Sequence, residues 1–458
     1  MGKLGQERNA GERISKAADW FEVTMLAAMF PLFVFPKIDR AWPFLVFPLI
    51  WILRWAVEEK GAAVGALRGI RRRRTIIDLA IALLAIQLFI SCLVIADIEA
   101  SFPKVSGILY GILVFYALVR VLKSRQLIRA GIGVFIAGGV TLTVIGMMGM
   151  LESREPFAGR LLTFLLKKVP HKNWGFKGAE LGLNPNAVAG VMTIFVPLSI
   201  VIAVWVLTKK RGRESILSYL QGLDAVIFTV VSCFFCFVLF LTQSVASWTA
   251  LGISLWLVLP SWKAKAVGLL PLAAFVFGIL VLLPGKMDQD AAKEQQPFWK
   301  MKVEARYKWW DEGLKAVREK PVTGIGVNQL RMRPGFGYET SHAHNHMLHT
   351  AAELGIPGLL AYLAILMGAG YMCREVWRKA TVGWMRVAAQ GLGAGQLAHF
   401  IFGLGDSIPL GAKPGVFFWY SLALITAMYH YVRRERKGPA SDFRFQKKSE
   451  PVSPEIGR

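Results

Sequence analysis

Residues 185–207 read PNAVAGVMTIFVPLSIVIAVWVL, 23 residues without a single Asp, Glu, Lys or Arg. As a helix rising 1.5 Å per residue, such a run reaches across a hydrocarbon layer about 30 Å thick. Working outward in both directions, comparable apolar blocks fall near 19–35, 42–56, 76–95, 105–122 and 128–150 on one side. On the other they fall near 224–241, 246–260, 266–284, 352–372, 385–402 and 414–432. The expected fold is therefore an all-α, polytopic transmembrane helical bundle of about 12 helices. A chain of 458 residues that is 54% hydrophobic, with positive mean hydropathy, is not an ordinary soluble protein.

The formal charge of +24 sits mainly in short segments between the blocks. Clusters at Arg68 with Arg71 to Arg74, at Arg120, Lys123 and Arg125, and at Lys209 to Arg213 occupy alternate connections. So do Lys263 with Lys265, Arg374 to Lys379, and Arg433 to Arg436. One orientation makes all of them cytoplasmic, in contact with anionic membrane lipids, and leaves no need for a nucleic-acid partner. Both ends are expected in the cytoplasm; Lys3, Arg8, Arg13 and Lys16 precede a first helix with no small-residue cleavage site. Cys92, Cys233, Cys236 and Cys373 all lie in or at the end of apolar blocks and read as small apolar helix residues.

The organisation follows as N-terminal helices over 1–150, a first outer loop over 151–184, middle helices over 185–284, a large outer loop over 285–350, C-terminal helices over 351–432 and a basic tail over 433–458. The two outer segments are too long to be plain connections. The first carries Arg154, Arg160, Lys167, Lys168, His171, Lys172 and Lys177 against Glu152, Glu155 and Glu180, a bias that suits a pyrophosphate or an acidic glycan. The second contains Val303, Tyr307, Trp310, Leu314 and Val317 at helical spacing, the greasy face expected of a helix lying at the outer membrane interface. It ends in SHAHNHMLHTAAELGIPGLLAYL, with His342, His344, His346 and His349 among only seven histidines in the chain.

His344-Asn345, followed after nine residues by Gly355-Ile-Pro-Gly358 and preceded by Pro321-x-x-Gly324-x-Gly326, resembles the signature of the O-antigen ligase and polymerase superfamily. Asn184-Pro185-Asn186-x-x-Ala189 at a helix start, Thr242-Gln243-Ser244 at a hairpin, and Arg306 before Trp309-Trp310 extend the resemblance over roughly residues 140–430. It implies a multi-spanning glycosyltransferase of the bacterial inner membrane, active on the periplasmic face, that needs neither metal nor other cofactor. Its donor would be a glycan on undecaprenyl pyrophosphate. Its acceptor would be lipid A-core for a ligase, or another lipid-linked glycan for a polymerase.

Carried over residue by residue, the resemblance makes His344 the general base that takes the acceptor's hydroxyl proton, with Asn345 orienting the ring or the substrate. Arg306 would hold the pyrophosphate, and Lys177, His342, Asn186, Gln243 and Asp406 complete the expected substrate-binding set. One departure stands at Val245, where the family usually has an Arg that can contact phosphate. Lys177 is the expected substitute, although it offers a point charge instead of a two-pronged donor.

Other readings compete at single residues. His342, His344 and His346 would share one face of a strand, as metal ligands do, but the family pattern accounts for His344-Asn345 without a metal. His349 reads as a helix-packing residue, and Glu353 and Asp406 also read as helix-end polar groups. Asp78 and Asp224 read as helix-starting acids favoured by the dipole. A transporter or flippase would place ionisable groups near the bilayer midplane and show internal repeats, and neither pattern is visible.

Overall fold

A computed structural model describes residues 20–30, 75–152, 185–208, 216–242, 244–259, 298–336 and 342–437. Among them the secondary structure is entirely helical. In chain order the helices are α1 (Trp20–Phe30), α2 (Asp78–Cys92), α3 (Ile98–Val121), α4 (Arg125–Glu152), α5 (Pro185–Thr208) and α6 (Ile216–Leu241). They continue with α7 (Val245–Leu257), α8 (Phe298–Glu319), α9 (His346–Lys379), α10 (Gly383–Gly405) and α11 (Val416–Lys437). Six segments within them are long and apolar enough to cross a membrane, among them Ile98–Val121, Asn186–Thr208 and His346–Lys379. The expected blocks at 42–56 and 266–284 lie outside the described residues.

Polar side chains set where several helices begin. Asp97 caps α3 by accepting the Ala100 N–H at 3.0 Å, and Asn345 caps α9 by accepting the Leu348 N–H at 3.0 Å. Asp78 opens α2 as expected, accepting the Thr75 N–H at 2.6 Å and the Tyr116 hydroxyl at 3.1 Å. Asp224 does not start its helix: α6 begins at Ile216, and Asp224 instead meets Arg129 of α4 at 3.7 Å. An ion partner on a neighbouring helix, not the helix dipole, accounts for its place.

The core is one contiguous apolar cluster in which α10 packs against α5, α7 and α9, while α11 packs against α3. Trp419 is fully buried there, with its ring edge-to-face on Phe115 at 6.5 Å. Polar groups sort to opposite ends. At one end Arg125 bonds Tyr431 and Glu435, Arg434 bonds the Lys123 carbonyl, and Thr381 bonds Glu435, so three of the basic clusters seen in the sequence meet. At the other end stand Asp97, Asn328, Asn345 and Asp406.

Helix α9 is broken inside its apolar stretch. Gly355 has φ 72° and ψ 173°, a conformation that L side chains rarely adopt. Pro357 has no N–H to give the Glu353 carbonyl, so the break frees backbone acceptors in the interior. Residues 321–330 satisfy them: Ile325 N–H reaches the Ala352 carbonyl at 2.9 Å and Gly326 N–H the Glu353 carbonyl at 3.2 Å. Ile356 N–H bonds the Pro321 carbonyl in return at 2.8 Å. A Cβ at Gly324 would stand 2.2 Å from the Glu353 oxygen, and one at Gly355 would stand 2.3 Å from the Val322 oxygen. The glycines of the two sequence motifs are needed because the two backbones touch.

Candidate functional site

The break fixes the first turn of α9 and the tripeptide before it. His344 has φ 48°, a left-handed conformation uncommon for a residue with a side chain, and Asn345 then caps the helix. The Asn345 amide also donates to the Leu404 carbonyl at 3.3 Å, tying this start to the end of α10. Asn345 therefore positions the segment that carries His344. Two residues beyond Leu404 lies Asp406.

His344 Nδ1 stands 2.9 Å from Asp406 Oδ1. Burial alone would raise the Asp406 carboxyl, but the hydrogen bond to His344, the charges of His344 and His342, and the Ser407 N–H at 2.8 Å hold it below its ordinary value. An ionised carboxylate only accepts, so His344 carries its proton on Nδ1 and leaves a lone pair on Nε2. Trp309 of α8 stacks on the His344 ring at 4.7 Å and covers one face. His342 lies beside it, with ring centroids 4.4 Å apart and Nδ1 3.9 Å from the same Asp406 oxygen. Burial and the neighbouring His344 push the His342 imidazole down to about 4.

The other histidines turn away from this edge. His346 is buried, with Nδ1 3.2 Å from the Ser407 hydroxyl and its ring edge-on to Tyr362 at 5.0 Å. His349 is buried and bonds Glu353 of its own helix, Nε2 to Oε2 at 3.3 Å. Both fit a packing role, and Glu353 is an interior partner where a helix-end group was expected. Beside them, Lys104, Thr350 and Gly411 help line a cavity of about 20 Å³.

Arg306 lies on α8 one turn before Trp309, and residues three apart share a helix face. The face that packs on α9 is a different one from the apolar stripe read in the sequence. Gly313 and Ala316 are buried, with Gly313 against Leu348 of α9, whereas Tyr307 and Leu314 are exposed. Small residues let α8 pack closely on α9 and bring Trp309 over His344. The exposed Tyr307 and Leu314 remain as the stripe suited to a membrane interface. Arg333 holds the following loop on α8 through Glu319 at 2.7 Å and Glu312 at 3.4 Å, and Trp309 Nε1 donates to the Gly335 carbonyl at 2.8 Å.

Asn186 sits in the first turn of α5, a helix packed along α10, and four residues on a side chain at Gly190 would meet Ile408. The 242–245 hairpin also reaches this end: a side chain at Gly405 would touch Ala246 at 3.7 Å. Lys177 and Gln243 lie outside the described residues. Trp309 was visible in the sequence only as a neighbour of Arg306, and its spacing of three was the available signal for a shared face.

The described residues thus form a helical membrane bundle with an imidazole–carboxylate pair where the end of α10 meets the start of α9. Residues 228–363 match the family model described as O-antigen ligase (Wzy_C), which supports membership of the O-antigen ligase superfamily and an enzyme of the ligase or polymerase type. The matched stretch includes the hairpin, α8 and the start of α9, and stops short of Asp406. No curated protein matches the chain.

Proposed function

We propose that the protein transfers a glycan from an undecaprenyl-pyrophosphate carrier to a hydroxyl of a lipid or glycan acceptor outside the inner membrane, with His344 as general base. The observation that carries this reading is the 2.9 Å contact between His344 Nδ1 and Asp406. Nε2 takes the acceptor's proton as its oxygen attacks the anomeric carbon, the bond from that carbon to the phosphate oxygen breaks, and the pyrophosphate departs with the electron pair. Asp406 stays ionised and stabilises the imidazolium. Arg306 offers the departing pyrophosphate a planar, always-charged donor from the helix that carries Trp309.

The test is transfer by purified protein from a lipid-linked donor. His344→Ala should nearly abolish turnover while retaining donor binding, and chelator-treated wild type should keep turning over. Equal turnover in His344→Ala and wild type would overturn the assignment.

A further inference from the structure

Three groups at this edge converge more tightly than a two-member pair requires. Nδ1 of His344 and Nδ1 of His342 approach the same oxygen, Asp406 Oδ1, at 2.9 Å and 3.9 Å. One nitrogen-or-oxygen atom from each of the three residues lies within 4.8 Å of the other two. Zinc held at 2.0–2.2 Å by imidazole nitrogen and carboxylate oxygen in a tetrahedron separates neighbouring ligands by roughly 3.3 Å. The observed separations bracket that value.

The lone pairs are also arranged for it. His342 Nδ1 accepts the His344 backbone N–H at 3.4 Å, so its own proton sits on Nε2 and Nδ1 keeps a lone pair that a metal ion can take in place of that long hydrogen bond. Asp406 is buried, with the Ser407 N–H at 2.8 Å on the same oxygen that the two imidazoles approach, and a carboxylate is the anionic ligand that a dication needs. Two imidazoles with one carboxylate select a borderline-soft ion such as zinc over magnesium or calcium, which prefer oxygen.

We propose that His342, His344 and Asp406 form a zinc-binding site and that zinc switches the enzyme off. The inference rests on His344 being the base. A neutral imidazole that gives its Nδ1 lone pair to zinc must carry its proton on Nε2, the nitrogen that has to accept the acceptor's proton. Binding therefore shifts the ring's single proton from Nδ1 to Nε2 through solvent, with no net release, and leaves the ring in the wrong tautomer for catalysis. The ion acts as a competitor for the proton-transfer machinery, and its removal restores the base.

The experiment uses the purified full-length chain, stripped with chelator, and measures metal binding separately from transfer. Zinc alone should bind one ion per chain by calorimetry, and cobalt alone, as a coloured stand-in, should give the visible bands of a low-coordinate nitrogen and oxygen site. Both signals should vanish in Asp406→Ala and in His342→Ala, and in the size-conserving His342→Gln, while His349→Ala, outside the triad, retains them. Turnover of the stripped protein should fall as zinc is added and return with chelator. Absence of zinc binding, or binding unchanged in the Asp406 and His342 variants, would overturn the site while an active stripped protein still upholds His344 as base. Zinc bound through the triad without loss of turnover would overturn the switch. A stripped protein that is inactive until zinc is added would sink both readings together.

Discussion

Two imidazole–carboxylate pairs stand at the start of α9, His344 with Asp406 and His349 with Glu353, and His342 lies between them with its ring 4.4 Å and 6.5 Å from the two histidine rings. The inner pair spans one helical turn within a single element, is buried, and helps line the cavity of about 20 Å³ beside Lys104. The outer pair joins the end of α10 to the segment before α9, and a fifth of the His344 side chain stays open. Equal chemistry thus meets unequal surroundings. The more open outer imidazole is the one proposed to meet a substrate hydroxyl, and it is held by a left-handed backbone and a stacked indole.

The largest effect that separates the pairs is expected in His344→Ala, a loss of about 10² to 10⁴ in turnover with the fold retained. Steady-state rates and a thermal melt on the same sample check it. Next is Asp406→Asn, which keeps the shape but removes the charge that fixes the ring; turnover should fall roughly 10²-fold, and a drop confined to donor affinity would argue against orientation by Asp406. Arg306→Ala should weaken donor binding about tenfold or more, the scale of one charge-assisted hydrogen bond, with partial recovery in Arg306→Lys. Unchanged donor affinity would remove Arg306 from the site.

The inner pair should answer differently. Glu353→Gln is expected to cost about 1–3 kcal/mol of stability, read as an earlier denaturation midpoint, with the turnover of folded protein within about twofold. A large loss of turnover without loss of stability would erase the distinction drawn between the pairs. The smallest effect concerns His342, pushed down to about 4 against an ordinary 6.5. Between these values His342 binds a proton in the unfolded chain and not in the folded one, so its contribution makes stability rise with pH across the window and fall as pH drops through it. His342→Gln should flatten that slope.

The apolar blocks were legible because burial in lipid demands long runs: the block read at 128–150 is α4 at Arg125–Glu152, and that at 385–402 is α10 at Gly383–Gly405. His344 and Asp406 were each legible as candidates, yet their contact spans 62 positions and leaves no local period. Hydrophobicity marks Tyr307 and Leu314, which stay exposed, while the face of α8 that packs on α9 went unread because Gly313 and Ala316 are small. The break at Gly355 escaped notice because its cause lies in the backbone of residues 321–326.

Residues 321–330 are built into the bundle: Gln87 bonds the Val322 carbonyl, Asn328 the Ala100 carbonyl and Gln329 the Ser101 hydroxyl, while Ile325 and Gly326 feed the broken turn of α9. This matters for anyone exchanging this loop with that of a related protein. A graft joined between 321 and 330 would pair one protein's loop with another's helix break and strand carbonyls in the apolar interior. The workable seams lie before residue 320 or beyond Leu330, so that the loop and the turn it completes travel as one inherited unit.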